Sequence, residues 1–147
     1  MNRTKYDVVV VGGSLSGLLT AREIGSRSSI SVKVIEADHE IGTPEHCGGL
    51  VSLSGLRKLG IVPSSRSFRN YITRAKIYSK SASFEVDARL QDVVAIDRRE
   101  LDKQIALQAQ KLGVEITTMC SMKTFSAGPH PGETRQNNFE EGYTIAV

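Results

Sequence analysis

Four valines in a row, Val8 to Val11, run into Gly12-Gly13-Ser14-Leu15-Ser16-Gly17, and no other segment constrains the chain as strongly. Tyr6 to Val11 is a β-branched run closed by glycine, which predicts a strand buried on both faces. From Ser16 to about Arg27, the positions Leu18, Ala21 and Gly25, with Ile24 beside them, recur at helical spacing. Ser26 to Ser29 breaks that helix, and Ser31 to Glu36 reads as a second strand. Strand, tight turn, helix and strand in so short a span make a β-α-β unit, whose crossover is right-handed.

A turn of this kind serves a dinucleotide when its backbone bends tightly, lets a pyrophosphate approach, and packs helix on strand. Gly12 suits the first need and Gly17 the third. Ser14 holds the middle position, giving G-x-S-x-x-G. A Cβ there pushes a diphosphate slightly outward, while the hydroxyl can donate to it. The free N–H groups opening the helix form the anion site in either case. Glu36 stands 24 residues beyond Gly12, at the end of the second strand, placed to accept from a ribose diol. Its carboxylate repels a 2′-phosphate, so the pattern points to FAD or NAD rather than NADP. The plainer alternative is a simple βα turn with Glu36 as a solvated strand end. Gly12-Gly13-Ser14-Leu15-Ser16 also resembles a hydrolase nucleophile elbow that has lost its last glycine. Such an elbow follows several strands rather than the first, and no Asp/His sequel with a complete fold fits in 147 residues.

The rest of the chain continues an α/β pattern. Residues 37–51 read as a loop holding Pro44, Cys47 and the pair Gly48-Gly49. Leu53 to Leu59 is a helical turn or two, ended by Gly60. Ile72 to Ser79 and Ala82 to Asp87 are expected to pair antiparallel, and Val93 to Ile96 is a further short strand. Asp97 to Leu112 is the clearest helix, with Leu101, Ile105 and Leu112 on one face and Gly113 as its stop. Val114 to Thr118 then returns to the parallel sheet as its third strand. Met122 to Ala127 and Tyr143 to Val147 form a β-meander around a loop, Gly128 to Gly142, expected to be mobile. The expected organisation is one domain over 1–147, with a core of about 5–120 and the meander over about 121–147. The last strand reads as lying in mid-sheet, so the chain looks cut short.

Composition excludes several classes. Apolar and charged fractions of 39% and 24% belong to a folded chain rather than a disordered one. A net charge of +3, scattered along the sequence, with few aromatics and no Trp, gives no nucleic-acid footprint. The longest apolar run, Val8 to Val11, is too short for a transmembrane segment. Cys47 and Cys120 lack CxxC spacing and follow no secretory leader, which suggests a cytoplasmic protein, with peripheral contact at a membrane left open. His39, His46 and His130 have no metal-ligand spacing, so no metal is expected.

Two further residues carry chemistry. Asp97-Arg98-Arg99-Glu100 is an amino-terminal capping arrangement, with Asp97 as cap and Glu100 closing the box. Cations in a first helical turn oppose the dipole. Either Asp97 and Glu100 compensate them, or Arg98 meets an external anion such as a cofactor diphosphate. Cys47, flanked by glycines, is not a core packer, and His46 beside it favours a thiolate if the two side chains converge. It is either a group acting near a cofactor or an incidental loop cysteine. Cys120 reads as a small buried hydrophobe.

Val8 to Gly13, Glu36, the segment Pro44-Glu45-His46-Cys47-Gly48-Gly49-Leu50, and Asp97-Arg98-x-x-Leu101-Asp102 occur in the order and spacing of the geranylgeranyl reductase family. Those flavoenzymes share the p-hydroxybenzoate hydroxylase fold, and the archaeal members, which saturate isoprenoid chains of membrane lipids, look most similar. The resemblance covers roughly residues 6–120 and implies a Rossmann-type FAD-binding β-α-β unit with a parallel sheet. A small antiparallel strand pair and a carboxy-terminal β-meander complete this part of an incomplete FAD/NAD(P)-binding domain. It implies that Gly12, Gly13, Ser14, Leu15, Ser16, Gly17, Glu36 and Ala37 hold the ADP half of FAD. Arg98 would lie against the cofactor, and Cys47-Gly48-Gly49 would approach the flavin, with Cys47 as the catalytic candidate. Ser14 departs from the family's middle glycine. Family members run to several hundred residues, so the substrate domain and later flavin motif are absent and the chain alone should not turn over substrate. The implied activity is reduction of prenyl double bonds. A flavin monooxygenase fragment remains an alternative, as does a non-catalytic dinucleotide-binding module, a truncated product or a split subunit needing a partner chain.

Overall fold

A computed structural model describes residues 5–45, 47–126 and 144–146. Strand β1 (Val8–Val11), helix α1 (Leu15–Arg27) and strand β2 (Val32–Ile35) form the expected β-α-β unit. β1 and β2 run parallel, with Val8 opposite Val32 and Val11 opposite Ile35. After a loop come β3 (Leu50–Ser52), the short helix α2 (Leu53–Lys58), β4 (Phe68–Tyr71), β5 (Arg74–Tyr78), β6 (Ser83–Asp87) and β7 (Val93–Ile96). Helix α3 (Arg98–Lys111) leads into β8 (Glu115–Thr117), and β9 (Thr124–Ser126) and β10 (Thr144–Ala146) follow. β8 joins the parallel sheet beside β2, in the order β1-β2-β8. The β5–β6 hairpin and the β9–β10 pair are antiparallel, as the sequence suggests. The loop 128–142 lies outside the described residues.

The core is organised by two helices. Leu18 of α1 and Leu101 and Ile105 of α3 are fully buried, and they join Ile41, Leu56, Ile61, Val94 and Ile96 in one cluster. Ala21 and Ala109, on the same two helices, meet Val32, Val34 and Val114 in a second cluster against the parallel sheet. Small residues at these crossings let the helices sit close, and Arg22 Nη1 bridges them by donating to Gln108 Oε1 at 2.9 Å.

Several expectations need correction. β1 is only half-buried, and Val11 is 50% exposed, because β1 is an outer strand of the sheet among the described residues; the strand buried on its faces is β2. The segment read as a loop over 37–51 ends in a strand, β3, which pairs with β7 in a three-stranded antiparallel sheet completed by β4. Leu112 is 44% exposed, since α3 ends one residue earlier and its last buried position is Ala109. Cys120 is half-buried rather than buried.

The turn between β1 and α1 is sterically specified. Gly12 adopts φ +102°, a conformation that L side chains rarely take. At Gly17 an added Cβ would lie 2.0 Å from the Gly12 carbonyl oxygen, a backbone atom with no room to move. Gly17→Ala should therefore destabilise the chain by about 1–3 kcal/mol in denaturant unfolding, the scale of overpacking. Gly48→Ala, with open space at its Cβ position, should change stability by less than about 0.5 kcal/mol.

Candidate functional site

The glycine turn brings its helix end against the end of β2. The Gly13 N–H donates to Glu36 Oε2 at 2.6 Å, and the Asp38 N–H donates to Glu36 Oε1 at 3.0 Å. Glu36 is held from behind by the strand after α3. Its own N–H donates to the Thr117 carbonyl at 2.9 Å, and its carbonyl accepts from the Cys120 N–H at 2.8 Å. The Met119 N–H donates to the Asp38 carbonyl at 2.9 Å. The carboxylate is thus fixed at the mouth of α1. Four lone-pair sites on a carboxylate leave acceptor capacity beyond the two backbone bonds.

The amino end of α1 carries no acid of its own in its first turn, and the Ser14 side chain makes no capping bond. The intrahelical ladder begins with Leu18 N–H donating to Ser14 C=O at 2.9 Å. The N–H groups of Leu15, Ser16 and Gly17 therefore have no intrahelical acceptor, and they concentrate positive potential at that end.

The facing wall comes from the loop over 37–49 and from α3. Glu40 ties the loop to α3 through Arg99 and through Lys103 Nζ at 2.5 Å. Gly42, at φ +82°, lies so close to α3 that an added Cβ would be 2.8 Å from Arg99 Cα. Arg98 projects from α3 and donates from Nε (3.4 Å) and Nη2 (3.3 Å) to Asp102 Oδ1, and from Nη1 to Cys47 Sγ at 3.4 Å. Burial raises the Asp102 carboxyl above its ordinary pKa, with Arg98 acting in the opposite direction.

Between these walls lies a cleft of about 240 Å³, lined on the first side by Gly13, Ser14, Glu36 and Asp38, and on the other by Cys47, Arg98, Asp102 and residues 42–45. Of the residues singled out from sequence, Gly13, Ser14, Glu36, Cys47 and Arg98 reach it. Gly12 and Gly17 build the turn behind it, and Leu15 packs on the core. Ser16 and Ala37 are exposed beside it, Gly48 is exposed, and Gly49 is buried against the Ile96 carbonyl. Asp38, Gly42, Thr43, Glu45 and Asp102 were not singled out. The signal for Asp102 was its place in the D-R-x-x-L-D run.

The helix cap also differs from expectation. Asp97 Oδ1 accepts from the Glu100 N–H at 2.9 Å, but the reciprocal bond is replaced, because the Asp97 N–H donates to the Ser67 carbonyl at 2.7 Å. The cations of this turn have separate partners: Arg98 takes Asp102, and Arg99 takes Glu40, while Asp97 pairs with Arg69 at 2.5 Å. The ion-pair partners of Arg98 and Arg99 are therefore Asp102 and Glu40 rather than Asp97 or Glu100. No group of three or more metal-ligating side chains occurs among the described residues, and His46 and His130 lie outside them.

The lining suits the ADP half of a dinucleotide whose ribose carries no 2′-phosphate. Glu36, Asp38, Glu45 and Asp102 give it four carboxylates against the single guanidinium of Arg98. A diphosphate can be held there only at the α1 amino end or by Arg98, and a ribose 2′-phosphate beside Glu36 and Asp38 is repelled. Neutral ribose hydroxyls are accommodated. The residues present thus fit the ADP half of FAD or NAD.

No protein-family model matches the chain. Digeranylgeranylglycerophospholipid reductase 2 of Methanothermobacter thermautotrophicus is 36% identical over 121 residues, which is 78% of this chain and 30% of that protein. Among solved structures, a geranylgeranyl bacteriochlorophyll reductase-like protein of Thermoplasma acidophilum superposes with a TM-score of 0.74 at 26% identity, over 84% of this chain and 32% of its own. The FAD-bound L-α-glycerophosphate oxidase of Mycoplasma pneumoniae shares the fold, with a TM-score of 0.61 at 17% identity, over 84% of this chain and 47% of its own. The chain spans about a third of the length of the reductases it matches.

The pKa of Asp97 is lowered, first by the Glu100 backbone N–H and then by Arg69. The stability it contributes should be fully present above about pH 4, the unfolded carboxyl value, and be lost as pH falls through the lower folded value. Acid titration of unfolding should show this, and Asp97→Ala should flatten that limb while costing about 1–2 kcal/mol at neutral pH.

Proposed function

The chain carries the amino-terminal part of the geranylgeranyl reductase family, in sequence and in fold, and on that footing we propose that it is the FAD-binding portion of a flavin-dependent oxidoreductase that reduces prenyl double bonds of isoprenoid lipids. The observation that carries this reading is the meeting, at one cleft, of a helix amino end with unbonded N–H groups and no side-chain cap, and a strand-end carboxylate bonded to the same turn.

In this reading the N–H groups of Ser14, Leu15 and Ser16 take the cofactor diphosphate. Gly12, Gly13 and Gly17 let the backbone come close, and Ser14 adds a hydroxyl donor. Glu36 accepts from the ribose hydroxyls, with Ala37 bordering the nucleoside. Arg98 provides the cation on the opposite wall, with Asp102 fixing its guanidinium. Cys47, within reach of Arg98, and Gly48-Gly49 form the edge that turns toward the reacting end. When bound, the flavin supplies the hydride chemistry, and the protein's task is to hold and orient it. A cleft of about 240 Å³ is smaller than the roughly 300–1,000 Å³ of a complete small-molecule pocket. This supports a chain that contributes part of the site, the other walls coming from the remaining length that the relatives carry. A lipid substrate implies work at a membrane face. No helix among the described residues is long and apolar enough to cross a membrane.

Flavin titration, followed by fluorescence quenching, tests the proposal. FAD should bind and NADP should not compete. Glu36→Ala should weaken FAD by about 1–3 kcal/mol, the scale of leaving polar partners unsatisfied, while Ser14→Gly retains binding. Equal FAD affinity in the wild type and Glu36→Ala, with both folded by their melting curves, would remove the reading.

A further inference from the structure

Asp102 is the one buried carboxylate among those that line the cleft, at 5% exposure. Both of its bonds from Arg98 end on the same atom, Oδ1, at 3.4 Å from Nε and 3.3 Å from Nη2. Among the described residues, no donor reaches Oδ2. No fully buried side-chain oxygen among them lacks a partner, so Oδ2 touches the open space of the cleft rather than a closed interior. Pairing with Arg98 one turn away is accomplished by one oxygen. The second is a nearly desolvated acceptor kept without a donor, an unfavourable state unless something else supplies one.

The surroundings narrow what that donor is. An anion is repelled by Asp102 itself and by Glu45 on the same wall. A cationic head meets the Arg98 guanidinium, already seated on Oδ1. A metal ion would need converging ligands, and no group of three or more occurs among the described residues. A hydroxyl fits, because it donates to a carboxylate and accepts from a protonated carboxyl, and so suits Asp102 even though burial raises its pKa. A ligand crossing between the walls leaves one carboxylate, Glu36, and arrives at another, with donors for phosphate at α1 and at Arg98. Given the cofactor site proposed above, we infer that Asp102 Oδ2 takes a hydroxyl on the far side of the ligand's diphosphate. Asp102 is then a specificity residue for diphosphates that carry hydroxylated carbons on both sides. A dinucleotide such as FAD, with its ribityl chain, has this form; ADP, whose diphosphate ends free, does not.

Calorimetric titration of the whole chain tests this with two esters of ADP. One is ADP-ribose; the other is the β-cyclopentylmethyl ester, which matches it in charge and ring size but lacks the terminal hydroxyls. The wild type should prefer ADP-ribose at least about tenfold, the scale of a hydrogen bond to a charged group. Asp102→Asn should cut that preference below about threefold, because its amide oxygen must face Arg98 and an uncharged N–H group then faces the cleft. Glu36→Ala should weaken both esters alike and keep the preference, since they share the adenosine half. A carboxylate that serves only to hold Arg98 would move both esters together. Melting curves check that each substituted chain is folded, and the wild-type comparison requires no substitution. Equal wild-type affinity for the two esters, or a folded Asp102→Asn chain that keeps the full preference, would overturn the role of Asp102 alone, with ADP still bound at the α1 amides. Absence of binding by ADP and by both esters would bring down the cofactor site as well.

Discussion

The hydrogen bond from the Gly13 N–H to Glu36 joins the two features on which the site depends, the glycine turn and the end of the second strand. One positive-φ glycine and two glycine-dependent close approaches bring the turn down onto the sheet. Gly12 takes a left-handed φ, Gly17 leaves room for the Gly12 carbonyl, and an added Cβ at Gly13 would lie 3.1 Å from Glu36 Oε2. The parallel register of β1 on β2 sets the turn and the carboxylate at the same level. The backbone bonds from Met119 and Cys120 then prevent residues 36–38 from drifting away.

The opposite wall is governed by electrostatics on α3. An arginine in a helix's first turn is unfavourable to the dipole, and this helix carries two. Each is tied to a carboxylate reached from a different direction, Asp102 one turn on and Glu40 across the loop. Through Glu40, paired with Arg99 and Lys103, residues 37–45 are held on α3, and Cys47 meets Arg98. Asp102 is buried beside a single cation, so removing Arg98 would leave an uncompensated carboxyl. The wall therefore depends on the pair as a unit.

Much of this was legible in the amino-acid pattern, for identifiable reasons. The β-α-β unit announces itself because glycine at Gly12 and Gly17 is a steric requirement, and the hairpin because its alternation is regular over five pairs. The α3 boundaries follow from Asp97 and from Gly113 at φ +85°. β3 escaped because three residues are too few for a period. β4 escaped because its polar Arg69 and Asn70 interrupt the apolar signal, where the ladder shifts register. Asp102 is legible only as the last member of the D-R-x-x-L-D run, and the tertiary position of the helix is what buries it. The intermediate exposure of β1 was equally hidden, since a valine run does not say which strands will flank it.

The account stands on a dinucleotide diphosphate resting at the start of α1 with its ribose on Glu36. The most direct measurement is an amide chemical-shift titration of the ¹⁵N-labelled chain with ADP. The account predicts that the largest shifts fall on Gly13, Ser14, Leu15 and Ser16, with Ala37 and Asp38 following at the same saturation. Saturating ADP that leaves those amides unmoved, or moves only amides remote from the cleft, would contradict it.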